Sequence, residues 1–227
     1  MPSHPFQRIL LINPNSSAAT TRMMLQIARA ELDETAELLG ATATRAPPMI
    51  LTPSQLAAAA EEVVEIAEVG AAYCTGFIVS AFGDPGLDVI RKRSLLPATG
   101  LCEASMLEAA AGGRRFGVAT VTPELIPVID QRATMLGLGA LYTGVQCTPD
   151  DPTALTADSD RLNGKLAEAV DACIRKDGAQ AVIIGGGPLG QAAICLEKTF
   201  DMPIIAPIPA AIRQVMAQME SARSMTL

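Results

Sequence analysis

Short apolar runs that read as β-strands alternate along this chain with Ala-rich stretches that read as helices, and the alternation occurs twice with nearly the same spacing. Strands that alternate with helices bury their apolar faces as parallel sheets flanked by helices, so the pattern predicts an α/β fold. Residues 8–12 form a buried strand that ends at Asn13-Pro14-Asn15, and residues 20–32 form a helix. Thr52-Pro53-Ser54-Gln55 opens a second helix, with Thr52 as cap, Pro53 at the first helical position and Gln55 closing a capping box. Residues 76–80 read as the next strand, and Asp84-Pro85 as the start of the helix after it, with Asp84 suited to cap that helix.

The second half repeats the rhythm. Residues 116–121 form a strand, Thr122-Pro123-Glu124 opens a helix, residues 162–176 form an amphipathic helix, and residues 181–184 form a strand ending in Gly185-Gly186-Gly187-Pro188. Asn13-Pro14 matches Thr122-Pro123 in order, and Leu96-Pro97-Ala98-Thr99-Gly100 matches Met202-Pro203-Ile204-Ile205-Ala206. The gaps from Ala81 to Pro97 and from Gly186 to Pro203 are 16 and 17 residues. The chain therefore reads as an internal duplication: one α/β lobe over residues 1–100 plus about 208–227, the other over residues 101–207. The last helix, near residues 210–219, is expected to return to the first lobe.

Composition narrows the function classes. A net charge of −7, no Trp and only seven aromatic residues argue against nucleic-acid binding, which draws on basic surfaces and stacking platforms. No apolar run is long enough to span a membrane. Residues 1–5 do not read as a secretory signal, and the five widely spaced cysteines suit a reducing cytoplasm, so the expected location is cytoplasmic. No CxxC pair suggests zinc, and no metal is expected. The run of three glycines comes too late, with Pro188 after it, to be a dinucleotide fingerprint, and there is no phosphate-binding loop; no cofactor is expected. His4, the single His, lies near the N-terminus, so a Ser-His-Asp triad is excluded. A small-molecule substrate is the expected partner, and assembly as a homo-oligomer stays open.

In parallel α/β sheets ligands bind beyond the carboxyl ends of the strands. Four such ends stand out: Asn13–Asn15, the stretch from Ser80 through Ala81 and Phe82 to Asp84, Thr120 with Thr122, and Gly185 with Gly186 and Gly187. Backbone N–H groups at such ends favour carboxylates and carbonyl oxygens that gain negative charge. Asn, Asp and Thr before Pro also serve as ordinary caps. It is the gathering of four ends at one edge that points to a cleft.

Ile12-Asn13-Pro14-Asn15-Ser16-Ser17, Phe82-Gly83-Asp84-Pro85-Gly86-Leu87 and Gly100-Leu101-Cys102-Glu103-Ala104 resemble the hydantoin and allantoin racemase branch of the Asp/Glu/hydantoin racemase superfamily. The resemblance implies a cofactor-independent isomerase with two flavodoxin-like lobes and a pseudo-twofold axis through a cleft between them. It also implies a cysteine on each side of a planar intermediate, one to remove the α-proton and one to return it. The positions that correspond to those cysteines hold Ala81 and Gly186 here. Asn13, Ser80, Asp84, Thr120 and Thr122 remain to bind an amide, ureide or carboxylate. Cys102, at a helix start where a thiol pKa can fall, and Glu103 beside it are the candidate catalytic groups. Space filling and capping are the plain alternatives for the two. The expected activity is on a small ureide, cyclic amide or carboxylate through an enolate-like intermediate, other than by two-cysteine racemisation. The alternative is a non-catalytic protein that keeps the cleft to bind a small ligand.

Overall fold

The computed structural model describes residues 7–224; His4 lies outside the described residues. The strands are β1 (Gln7–Asn13), β2 (Ala36–Thr42), β3 (Gly76–Val79), β4 (Ala98–Gly100), β5 (Phe116–Thr120), β6 (Tyr142–Cys147), β7 (Ala181–Ile184) and β8 (Ile204–Ile205). The helices are α1 (Ala18–Arg29), α2 (Pro53–Gly70), α3 (Leu87–Arg93), α4 (Leu101–Ala109), α5 (Ile126–Met135), α6 (Pro152–Thr156), α7 (Ser159–Arg175), α8 (Gly190–Glu197) and α9 (Pro207–Ser224). Two four-stranded parallel sheets result, ordered β2-β1-β3-β4 and β6-β5-β7-β8, one to each lobe.

The sheets are buried on both faces, and the two-residue period of a strand decides where each side chain goes. Leu10, Ile12, Phe77 and Val79 pack with Val63, Leu87 and Ile90 on the outer side of the first sheet. Val182 and Ile184 do the same with Leu166, Val170 and Leu196 on the second. The intervening residues Ile9, Leu11 and Ile78 of one sheet share a single cluster with Phe116, Val118 and Ile183 of the other. Two helices knit that shared core together. α9 packs on β3 and β4, α4 packs on β7 and β8, and α4 and α9 pack on each other.

The duplication is visible bond by bond. Ser80 N–H donates to the Ile12 carbonyl at 2.8 Å, and Gly185 N–H to the Ala119 carbonyl at 2.8 Å. Ala43 N–H donates to Asn13 at 2.9 Å, and Thr148 N–H to Thr120 at 3.0 Å. The register makes Thr120, not Thr122, the counterpart of Asn13, which corrects the sequence match by two residues. The other match stands, since Phe77 pairs with Ala98 as Val182 pairs with Ile204.

Local caps follow the sequence closely at α2. Thr52 Oγ1 accepts the Gln55 N–H at 3.2 Å, and Gln55 Oε1 accepts the Thr52 N–H at 3.2 Å. Glu62, buried on α2, holds the preceding loop by accepting Thr44 N–H at 2.7 Å, the Thr44 hydroxyl at 2.8 Å and Arg45 N–H at 2.9 Å. Among the described residues no helix is long and apolar enough to cross a membrane, and no group of His, Cys, Asp and Glu could hold a metal ion.

Candidate active site

A cavity of about 40 Å³ lies between the lobes, at the carboxyl ends of β3, β5 and β7. Of the residues singled out from sequence, Ser80, Ala81, Phe82, Thr122, Gly186 and Gly187 line it. Asn13, Asp84, Thr120, Cys102 and Glu103 do not. The rest of the wall is Asn15 and an apolar set that includes Met49, Ile50, Leu56, Leu125 and Leu189. No lining residue has an ionisable side chain.

Ala81 and Gly186 occupy equivalent positions, each one residue past the matched pair Ser80 and Gly185. The turns that follow are also equivalent, because Asp84 N–H donates to Ala81 and Leu189 N–H to Gly186, each at 3.1 Å. The three glycines differ in what they must be. A Cβ at Gly187 would stand 2.9 Å from the Ser80 carbonyl oxygen of the facing lobe. One at Gly185 would stand 2.7 Å from Val118 and 3.0 Å from the Phe82 ring. At Gly186 the nearest atoms belong to the Leu189 side chain, at 3.0 and 3.1 Å, and φ is 161°, extended backbone open to any residue.

The polar atoms of the wall have fixed directions. Asn13 Nδ2 donates to Asn15 Oδ1 at 2.9 Å and to Thr21 Oγ1 at 3.0 Å, so Asn13 shapes the loop from beneath. Asn15 Oδ1 also accepts the Ser17 N–H at 2.9 Å, which leaves Asn15 presenting its amide N–H₂ as donor. Ser80 Oγ gives its proton to the Ile12 carbonyl at 2.6 Å, so toward the cavity it is an acceptor. Thr120 gives its proton to the Gly185 carbonyl at 2.6 Å; at its 3.3 Å contact with Thr120, Thr122 is therefore the donor. The N–H groups of Ala81, Phe82, Gly186 and Gly187 have no acceptor among the described residues. Sequence reasoning quoted Asn15 only as part of a motif and gave it no role; its place two residues past the strand was the available signal.

Asp84 caps a different helix from the one expected. The N-cap of α3 is Gly86, which offers no side-chain cap. The Asp84 carboxylate instead accepts the N–H groups of Cys102 and Glu103, each at 2.8 Å, at the start of α4. It does so from a left-handed backbone, φ 51°, and a Cβ on Gly100 would come within 2.2 Å of it. Burial pushes the Asp84 carboxyl up to about 7, against the Arg132 guanidinium and the two N–H groups that pull it down.

The structure places both catalytic candidates away from the cavity. Cys102 is fully buried, and burial, with the Asp84 charge acting in the same direction, raises its thiol well above the usual range. A helix start lowers a thiol pKa only when its N–H groups are free to act on the sulfur; here Asp84 has taken them. Glu103 is paired with Arg91 through contacts of 2.8 and 2.5 Å and accepts from Gln214 at 3.3 Å. It is a structural anion between α3, α4 and α9.

A sequence model of the family described as Asp/Glu/Hydantoin racemase matches residues 9–215. The hydantoin racemase of Rhizobium meliloti is 27% identical over 218 residues, which cover 92% of this chain and 87% of that protein. Among solved structures, the allantoin racemase from Klebsiella pneumoniae is 28% identical with a TM-score of 0.89, covering 95% of this chain and 89% of that one. An allantoin racemase from Pseudomonas fluorescens, 20% identical, shares the fold with a TM-score of 0.88 over 95% of this chain and 92% of that one. With two lobes of matching register, a cavity between them and a family match that spans both, this chain belongs to the Asp/Glu/hydantoin racemase family.

Proposed function

We propose that the protein acts on a small ureide or cyclic amide, bound in the cavity and carried through an enolate-like state, by a route other than two-thiol racemisation. The observation that carries this reading is the wall itself: free N–H donors at the ends of both lobes, hydroxyl acceptors beside them and no ionisable group. Carbonyl oxygens of the ligand take the N–H groups of Ala81, Phe82, Gly186 and Gly187 and the Asn15 amide. Ligand N–H groups go to Ser80 and Thr122. A carboxylate, which only accepts, would leave Ser80 Oγ facing another acceptor, so a ring that carries both N–H and C=O fits better.

N–H groups aimed at a carbonyl oxygen stabilise the charge that reaches it when the α-carbon loses a proton. The C–H bond breaks, its electron pair moves onto the carbonyl oxygen, and the proton goes to water, because neither Ala81 nor Gly186 can hold it. Positioned general acids and bases contribute about 10²–10⁴-fold each. Exchange at the α-position should therefore rise above the spontaneous rate through the N–H donors alone and fall short of two-thiol catalysis by the share that a positioned acid and base contribute. The test is α-hydrogen exchange of a 5-substituted hydantoin in deuterated water, corrected for spontaneous exchange; rapid exchange with inversion defeats the proposal. The double variant Ala81→Cys with Gly186→Cys should gain exchange with both enantiomers that neither single variant shows.

The same bare wall favours a second reading, a ligand-binding protein without turnover. It is separated from the first by finding a hydantoin or allantoin that raises Tm yet is recovered unchanged. The cavity has room for only a few waters, and ligand sites typically offer about 300–1,000 Å³. On either reading the walls part to admit a ring.

A further inference from the structure

Asp84 faces a side chain that the proposed chemistry leaves unused. Arg132 lies on α5 in the second lobe, with its side chain 8% exposed. Its Nε stands 3.4 Å from Asp84 Oδ2, its Nη2 3.4 Å from the Asp84 carbonyl oxygen and its Nη1 3.4 Å from Asp88 Oδ1 on α3. All three partners belong to the first lobe. Asp84 closes the turn that begins with the cavity residues Ala81 and Phe82, and the chain leading into α5 carries Thr122 and Leu125 on the opposite wall. The guanidinium thus joins the two walls from behind.

We propose that Arg132 is a positioning residue that latches the lobes together across the cavity, holding the turn from Ala81 to Asp84 against α5 and so setting how far apart the two walls stand. The functional meaning rests on the cavity being the ligand site proposed above; the latch itself does not. Three partners at the same distance, near the outer limit of hydrogen bonding, make a grip by charge rather than by short bonds. In a buried setting that attraction is stronger than in water, yet it lets go without a tight bond being broken. The other groups facing Asp84 are Glu103 and the Cys102 thiol on α4; Arg91 of α3 is tied to Glu103, and Asp88 of α3 to Arg132. Arg132 is the cation that reaches Asp84 from the second lobe.

Cys102 supplies a built-in reporter. Its backbone N–H is held by the Asp84 carboxylate of the same turn, and its side chain shares a buried cluster with Ile129 and Ala133 of α5. If the turn leaves α5, Cys102 is uncovered. Cys74 and Cys173, buried elsewhere, report global unfolding, and exposed Cys195 reports reagent activity. The experiment is alkylation of the full chain by iodoacetamide, followed cysteine by cysteine by mass spectrometry. Arg132→Met should speed labelling of Cys102 by about tenfold or more and leave Cys74 and Cys173 within about twofold. Arg132→Lys, which keeps the charge but cannot span three acceptors, should fall between parent and Arg132→Met. Should Arg132→Met fail to fold, Arg132→Gln takes its place with the same criteria. An unchanged Cys102 rate, or equal acceleration of Cys74, Cys102 and Cys173, overturns the proposal. No ligand is used, so this outcome is separate from the hydantoin tests.

Discussion

The turn that ends at Asp84 and the turn that ends at Leu189 have the same backbone hydrogen bond and the same place in their sheets, yet opposite chemistry. Asp84 meets the start of α4, the helix that follows β4, and Leu189 shares a buried cluster with Ala206, the residue before α9, which follows β8. A helix start leaves N–H groups without partners. In the first lobe a buried carboxylate takes two of them. In the second the helix opens Pro207-Ile208-Pro209, so two of its first three residues have no N–H to satisfy. One solution brings a charge inside and needs Arg132 to face it; the other needs only an apolar Leu189. Duplication has kept the frame and let each lobe solve the same local problem separately.

The sharpest way to break that contrast is Gly100→Ala. The equivalent residue in the second lobe, Ala206, already carries a Cβ. At position 100 the Cβ would stand 2.2 Å from the Asp84 carboxylate. Displacing the carboxylate strands it and its partners, and breaking a buried pair costs about 3–5 kcal/mol; guanidinium chloride denaturation should show a loss of that order. A loss under about 1 kcal/mol would mean that Asp84 can move aside freely.

Gly187→Ala should cost about 1–3 kcal/mol, since the new methyl meets backbone of the opposite lobe and not a movable side chain. Gly186→Ala should change stability by less than about 1 kcal/mol, because its backbone is extended and only Leu189 must give. Equal costs at the two positions would undo the claim that Gly186 has room for a side chain, and with it the design of the two-thiol variant.

The last test reads a slope with pH. Asp84 is raised to about 7 in the folded chain, against about 3.9 for an unfolded Asp. Between those values the folded chain keeps a proton that the unfolded chain has released. Its contribution to stability is therefore full below about pH 4 and lost as pH rises through 7, by at most about 1.4 kcal/mol per pH unit. Asn does not titrate, so the parent should lose stability relative to Asp84→Asn across that window. The opposite trend would show that Arg132 and the two N–H groups outweigh burial.

Sequence by itself determined the two-lobed α/β architecture, the capping box at Thr52, the match of residues 96–100 with 202–206 and the pairing of Ala81 with Gly186. Apolar periodicity and caps are settled by residues a few positions apart, and a duplicated frame repeats its spacing. Six of the nine proposed binding positions line the cavity, because strand ends are where parallel sheets open. What only the tertiary structure decided depends on partners distant along the chain: Asp84 reaches α4 across 18 and 19 residues, and Arg132 reaches Asp84 across 48. Cys102 looked exposed to a helix dipole and is sealed under another segment's carboxylate; Asn13 does not line the cavity and holds Asn15, which does. No local pattern encodes such outcomes, because burial and charge pairing belong to the surfaces that meet when the two lobes close on one core.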